Sequence, residues 1–239
     1  MKLIALQIKT TSNFQENLTH LKDLINLCEK DSLILAPELA LSGFSYDRME
    51  EAAQFSLKAI EEIKELSKDK TIALTFITKK ENRFFNTLYI FHQQQIIHIQ
   101  SKVKLFPLGN ELEYFSAGKE EDIKIIEING LKIATLICFE LRFPQLWEKV
   151  KGADIILNPA MWGIKRKDHY ESISKALALV SQCFVIACNS ADENMAKGSA
   201  IINPFGIVKK DDSKEIIEDF FDLNEIKKVR TYINIGLDR

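Results

Sequence analysis

The chain has little charge of either sign to spare. Its 32 lysines and arginines stand against 34 aspartates and glutamates, a formal charge of −2 over 239 residues. So close a balance supplies no global field for a nucleic acid or an anionic membrane surface, and neither is expected as a partner. Long apolar runs are absent too. No stretch approaches the ~20 residues a membrane-spanning helix needs. The N-terminal Met1-Lys2-Leu3-Ile4-Ala5-Leu6-Gln7 turns polar too soon for the apolar core of a secretory signal. Cysteine is scarce, and the four present, Cys28, Cys138, Cys183 and Cys188, show neither disulfide nor metal-ligand spacing. Cys183 and Cys188 lie in apolar surroundings and read as buried, inert thiols. A cytoplasmic protein without a metal is the expectation. Linkers, repeats and low-complexity segments are also lacking. With 46% hydrophobic residues, residues 1–239 are expected to form one globular domain.

What is present is an alternation of strand-like and helix-like stretches. Apolar runs at 3–8, 32–36 and 71–78 read as strands. Residues 13–29 carry Leu18, Leu21, Leu24, Ile25 and Cys28 at helical spacing behind a cap at Ser12 or Asn13, and 49–68 form a second amphipathic helix. Two hairpins interrupt the alternation. One pairs 84–91 with 96–102 about the polar turn 92–95; the other pairs 123–128 with 131–137 about Asn129-Gly130. A loop at 104–119 lies between them. Further on, 144–150 and 167–182 read as helices, 154–157, 184–189, 199–203 and 215–221 as strands, and 224–230 as a short helix. Hairpins inside an alternating pattern do not fit a simple doubly wound parallel sheet. They predict an α/β fold with a mixed sheet, or two stacked sheets, flanked by helices.

One cysteine stands apart. Cys138 ends the apolar run Leu131-Lys132-Ile133-Ala134-Thr135-Leu136-Ile137 and precedes Phe139-Glu140-Leu141-Arg142-Phe143-Pro144. A thiol at a strand-to-helix corner is expected to face a cleft near the positive end of a helix, and both conditions favour the thiolate. Other polar residues follow strand ends, where open α/β sheets place their ligands. Glu38 is wedged into an apolar segment, either as a partly desolvated general base or as a loop carboxylate. Lys102 ends a strand, either to stabilise an oxyanion or simply to be solvated. Glu111 and Glu113 flank Leu112 beside aromatics, with one carboxylate turned inward or both on the surface. His169 is the rival base, since a Cys–His pair oriented by an Asn such as Asn158 is a known arrangement. It sits, however, in the charged stretch Lys165-Arg166-Lys167-Asp168 at a helix start.

Four blocks, in order, resemble the carbon–nitrogen hydrolase (nitrilase) superfamily. They are Ala36-Pro37-Glu38-Leu39 with Gly43; Ser101-Lys102-Val103-Lys104-Leu105-Phe106-Pro107; Ile137-Cys138-Phe139-Glu140-Leu141-Arg142-Phe143-Pro144; and Gly152-Ala153-Asp154-Ile155-Ile156-Leu157-Asn158-Pro159-Ala160 followed by Trp162. Residues 199–206 and 222–239 extend the likeness over nearly the whole chain. The resemblance implies a four-layer α-β-β-α sandwich with two mixed sheets, assembled as a homodimer or higher homo-oligomer. It implies Glu38 as general base, Lys102 as oxyanion stabiliser, Cys138 as nucleophile and Glu111, not Glu113, as a second glutamate that positions the lysine. The backbone N–H of Phe139 shares the oxyanion, and no metal or cofactor is required.

Arg142 matches a position that binds a substrate carboxylate in some relatives, or else it pairs with an acid structurally. Trp162 and Phe44 line the pocket or pack the core. Short members with this nucleophile pattern hydrolyse small amides, notably ω-amides of dicarboxylic acids, through a cysteine thioester with release of ammonia. An N-carbamoyl amidohydrolase or a nitrilase is the alternative, and a metabolite-binding relative is the non-enzymatic one. The chain departs from the pattern at Val180 and Ser181, where many relatives carry Glu-Asn, and at Lys197, where glycine is frequent.

Overall fold

Side-chain alternation in the first strand already builds two faces. In the computed structural model, which describes residues 1–237, strand β1 (Lys2–Leu6) turns Leu3 and Ala5 one way and Ile4 and Leu6 the other. Helix α1 (Phe14–Leu27) follows, begun by Asn13, whose side chain accepts from the N–H groups of Gln15 and Glu16. Then come β2 (Leu33–Leu35), α2 (Met49–Leu66) and β3 (Thr71–Lys80), with the three strands parallel neighbours. β4 (Arg83–His92) returns antiparallel to β3, and β5 (Gln95–Ser101) antiparallel to β4. The stretch read as a loop at 104–119 holds the short helix α3 (Glu111–Tyr114).

The second half repeats the plan. β6 (Ile126–Ile128) and β7 (Leu131–Thr135) form the expected hairpin. Asn129 and Gly130 both take the positive φ that such a tight turn requires. α4 (Pro144–Lys149), β8 (Ile155–Ala160), α5 (Lys167–Ser181) and β9 (Phe184–Asn189) follow, with β7, β8 and β9 parallel. β10 (Ala200–Ile202), β11 (Val208–Lys210), β12 (Ile216–Phe220) and α6 (Leu223–Tyr232) complete the order. β8 runs on to Ala160, beyond the expected end at 157, because its parallel pairing with β9 continues to Asn189. β11 was not legible, since its side chains are all exposed and carry no apolar pattern. The C-terminal likeness at 222–239 ends in Asp238 and Arg239, which lie outside the described residues.

The result is two mixed six-stranded sheets, ordered β12-β1-β2-β3-β4-β5 and β11-β10-β9-β8-β7-β6. Leu3, Ala5, Leu33, Leu35, Ala73 and Leu88 of the first share a core with Ile133, Ile155 and Leu157 of the second. On the outside of the first sheet, Ile4, Leu6, Ile34 and Phe76 meet Leu18 and Leu21 of α1 and Ile60 and Ile63 of α2. Tyr170 and Leu177 of α5 pack on the second. This is the α-β-β-α sandwich expected. Burying one such side chain contributes ~1.5–3 kcal/mol, so the inter-sheet core sets how the two sheets' strand ends face each other. At one rim the Glu38 N–H, beyond β2, donates to the Ala160 carbonyl at the end of β8, 3.2 Å away.

Candidate active site

The expected residues leave strand ends along this rim. Beyond β2, Leu39 adopts φ +49°, and its N–H donates to Thr75 Oγ1 at 2.6 Å. Those contacts hold Glu38 between the sheets. Lys102 follows β5, and its N–H donates to the Asn86 carbonyl at 2.8 Å. The Lys102 carbonyl accepts from Gly118 N–H at 2.8 Å. Gly118 lies so close that an added Cβ would stand 2.2 Å from the Ser101 carbonyl oxygen, so only glycine fits there.

Lys102, Glu38 and Glu111 meet in a buried cluster. Lys102 Nζ donates to Glu38 Oε1 at 2.7 Å and to Glu111 Oε1 at 2.6 Å. Asn86 Nδ2 donates to the same Glu38 oxygen at 2.8 Å, and Phe106 N–H donates to Glu111 Oε2 at 3.1 Å. The ring of Phe44 lies 5.9 Å from Lys102 Nζ, which places it beside the lysine and not in the pocket described below. Glu113 is exposed. Burial would lower the lysine's pKa, but the charges of Glu38 and Glu111 outweigh it and hold Lys102 charged. Two buried carboxylates share that one cation. Burial therefore pushes the Glu111 carboxyl up to about 7, with Lys102 opposing the rise and Glu38 adding to it.

Cys138 faces a pocket as expected, but it is not the acidic thiol that a strand-to-helix corner suggests. It is only 7% exposed. It begins a short 3₁₀ turn, Cys138–Arg142, and the α-helix starts only at Pro144. Burial pushes its thiol well above the ordinary value, Glu38's charge adds to the rise, and Lys102 opposes it. The two sheets close over the corner, which local sequence could not reveal, and desolvation outweighs the nearby cation. A thiol whose pKa is pushed up in this way needs an adjacent base to react. Glu38 Oε2 is buried and accepts no hydrogen bond among the described residues. Cys138 also takes φ +48°, a strained conformation for a side chain other than glycine.

Two contributors escaped sequence reasoning. Glu140 is fully buried and accepts from Ile137 N–H at 2.7 Å and Val103 N–H at 2.6 Å. It thus ties the cysteine's turn to the segment after Lys102. Burial pushes its carboxyl up to about 7 against those backbone donors. Asn86 is the other, and its signal was an amide inside an otherwise apolar strand.

Phe106, Cys138, Phe139, Arg142, Met161, Trp162 and Arg166 line a small pocket. Arg142 lies over the Trp162 ring at 4.5 Å and donates through Nη2 to His169 Nδ1 at 3.0 Å. It has no acid partner among the described residues. Trp162 both lines the pocket and packs against Tyr170, ring centres 5.5 Å apart. Phe139 packs between Phe106 and Phe143, each 5.1 Å away. His169 is exposed and engaged with Arg142, while the buried Asn158 amide donates to the Leu136 carbonyl. A Cys–His–Asn set is not assembled. Among the described residues, no cluster of His, Cys, Asp and Glu could hold a metal ion. Among them, too, no helix is long and apolar enough to cross a membrane.

Comparison with known proteins places this geometry in context. Residues 3–231 match the family model for carbon-nitrogen hydrolases. The chain is 33% identical over 224 residues to the 2-oxoglutaramate amidase of Bacillus subtilis (strain 168), covering 87% of this chain and 86% of that protein. It is 26% identical over 263 residues to the 2-oxoglutaramate amidase of Paenarthrobacter nicotinovorans, covering 98% and 88%. The structure superposes on Saccharomyces cerevisiae Nit3, a member of branch 10 of the nitrilase superfamily, with a TM-score of 0.85. The identity is 21%, over 99% of this chain and 95% of that one, so the two share a fold.

Proposed function

The chain belongs to the carbon–nitrogen hydrolase family, and we propose that it hydrolyses the terminal amide of a small dicarboxylic acid monoamide, working as a single domain. The observation that carries this reading is the meeting, in one small pocket, of Cys138 and the acid-free guanidinium of Arg142. One end offers a nucleophile and the other a site for an anion. Relatives named for action on 2-oxoglutaramate support it.

The reaction follows from the cluster. Glu38 takes the Cys138 proton through its free Oε2 as the sulfur attacks the amide carbon. Lys102 carries three N–H donors and gives two of them to Glu38 and Glu111. The third, with Phe139 N–H, holds the tetrahedral oxyanion, each donor contributing about 3–4 kcal/mol in such sites. Glu38 then returns the proton to the departing nitrogen, the C–N bond breaks, and ammonia leaves a thioester. Water, deprotonated by Glu38, attacks the thioester; the C–S bond breaks, the acid is released and the thiol regains its proton. Glu111 keeps the lysine in place throughout.

The groove lined by Leu179, Val180, Phe205, Ile233 and Ile235 suits a second copy of the chain, so a homodimer or higher homo-oligomer is part of the proposal. A cytoplasmic setting fits four free cysteines.

Ammonia release from a panel of succinic acid monoamide, 2-oxoglutaramate, N-carbamoyl amines and nitriles tests the activity. Turnover of the monoamides, lost in Cys138→Ala while the folded signature persists, is expected. Silence on every amide, or an active Cys138→Ala, would sink the proposal.

A further inference from the structure

The turn before α5 directs one side chain inward. It spans Ile164–Arg166, with Ile164 and Lys165 exposed and Arg166 half-buried. The Arg166 guanidinium lies 5.1 Å from the centre of the Phe106 ring. Arg142 covers a different ring, Trp162, at 4.5 Å. Both guanidinium groups border the pocket of Cys138, and among the described residues neither pairs with a carboxylate.

Two cations facing one small, partly dry pocket repel each other. Burial, and then the charge of Arg166, lower the pKa of Arg142, so the two groups feel one another. An anion between them relieves that repulsion. Stacking on aromatic faces leaves guanidinium edges, where the N–H donors lie, open to carboxylate oxygens. His169 occupies only one of the Arg142 donors.

We propose that Arg166 is a specificity-determining residue that, together with Arg142, holds the terminal carboxylate of the substrate amide. The assignment rests on the reading that Cys138 attacks such an amide. Its rival is an arginine that merely covers Phe106, which would serve charged and neutral substrates alike.

Arg166→Met and Arg166→Lys, assayed on succinic acid monoamide and on butyramide, separate the two. In Arg166→Met the ratio of kcat/KM for the monoamide to that for butyramide falls about 10- to 100-fold, mostly through KM. Arg166→Lys recovers part of the loss, because it keeps the charge and loses the fork. A second readout needs no amide turnover: alkylation of Cys138 by iodoacetate and by iodoacetamide, followed by intact mass against a Cys138→Ala control. The native pocket favours the anionic reagent, relative to a free thiol, and Arg166→Met weakens the preference severalfold. Equal losses on both amides, or an unchanged alkylation ratio, would overturn the assignment. If neither amide is hydrolysed while the alkylation preference depends on Arg166, the anion site stands and the proposed reaction falls.

Discussion

The charged groups behind the pocket and those that line it handle charge in opposite ways. Behind it, Lys102, Glu38 and Glu111 are all buried, and the lysine pairs with both carboxylates within 2.7 Å. In the lining, Arg142 and Arg166 are partly exposed, stack on rings and have no acid partner among the described residues. A buried charge left unpaired costs several kcal/mol, so the first cluster must be complete before any ligand arrives. A half-solvated cation bears its isolation cheaply. It can leave its partner to the substrate. The contrast teaches that preorganised chemistry and recognition need different degrees of burial.

Removing the shared cation should break the contrast most severely. Lys102→Met leaves two buried carboxylates without it, and a loss of about 3–5 kcal/mol in denaturant unfolding is expected, with no ammonia release. Glu140 sharpens the same point through pH. Its folded pKa, about 7, stands above the ordinary 4.5, so the native state holds the extra proton between those values. Stability from this group is therefore present below about pH 4.5 and is lost as pH rises to 7, on the order of 3 kcal/mol by linkage. Unfolding midpoints from pH 5 to 8 should show this fall in the native protein and a flatter profile in Glu140→Gln. Gly118→Ala should cost less, about 1–3 kcal/mol of stability. It should also lower kcat, because the new Cβ displaces the strand end that carries Lys102. Arg142→Met in the solvated lining should change stability by under about 1 kcal/mol in the same assay. A Lys102→Met no more costly than Arg142→Met would erase the distinction between the two groups.

Much of this was legible early, for reasons that differ from element to element. The strands of both sheets announced themselves because a buried strand needs apolar side chains whatever its partner. The hairpin at Asn129-Gly130 was readable because its turn demands positive φ. β11 was not, since three exposed residues carry no pattern. Glu38, Lys102 and Cys138 stood out through motif blocks, and Glu111 through the family resemblance. Arg166 and Glu140 did not, because a charged stretch and an acid beside a turn have many ordinary uses.

By itself, then, the sequence determined most of the local elements and which polar side chains follow strand ends, and left a mixed sheet or two stacked sheets open until the family resemblance chose between them. The local elements depend on periodicity and turn chemistry over a few residues. Only the tertiary structure decided that Cys138 is buried with its thiol pKa pushed up, how Glu111 meets Lys102 while Glu113 stays exposed, and that Arg142 and Arg166 share one pocket. Burial and charge coupling arise where distant segments close on each other. Residues 38, 102, 111 and 138 acquire their environments only when the rims of two sheets meet.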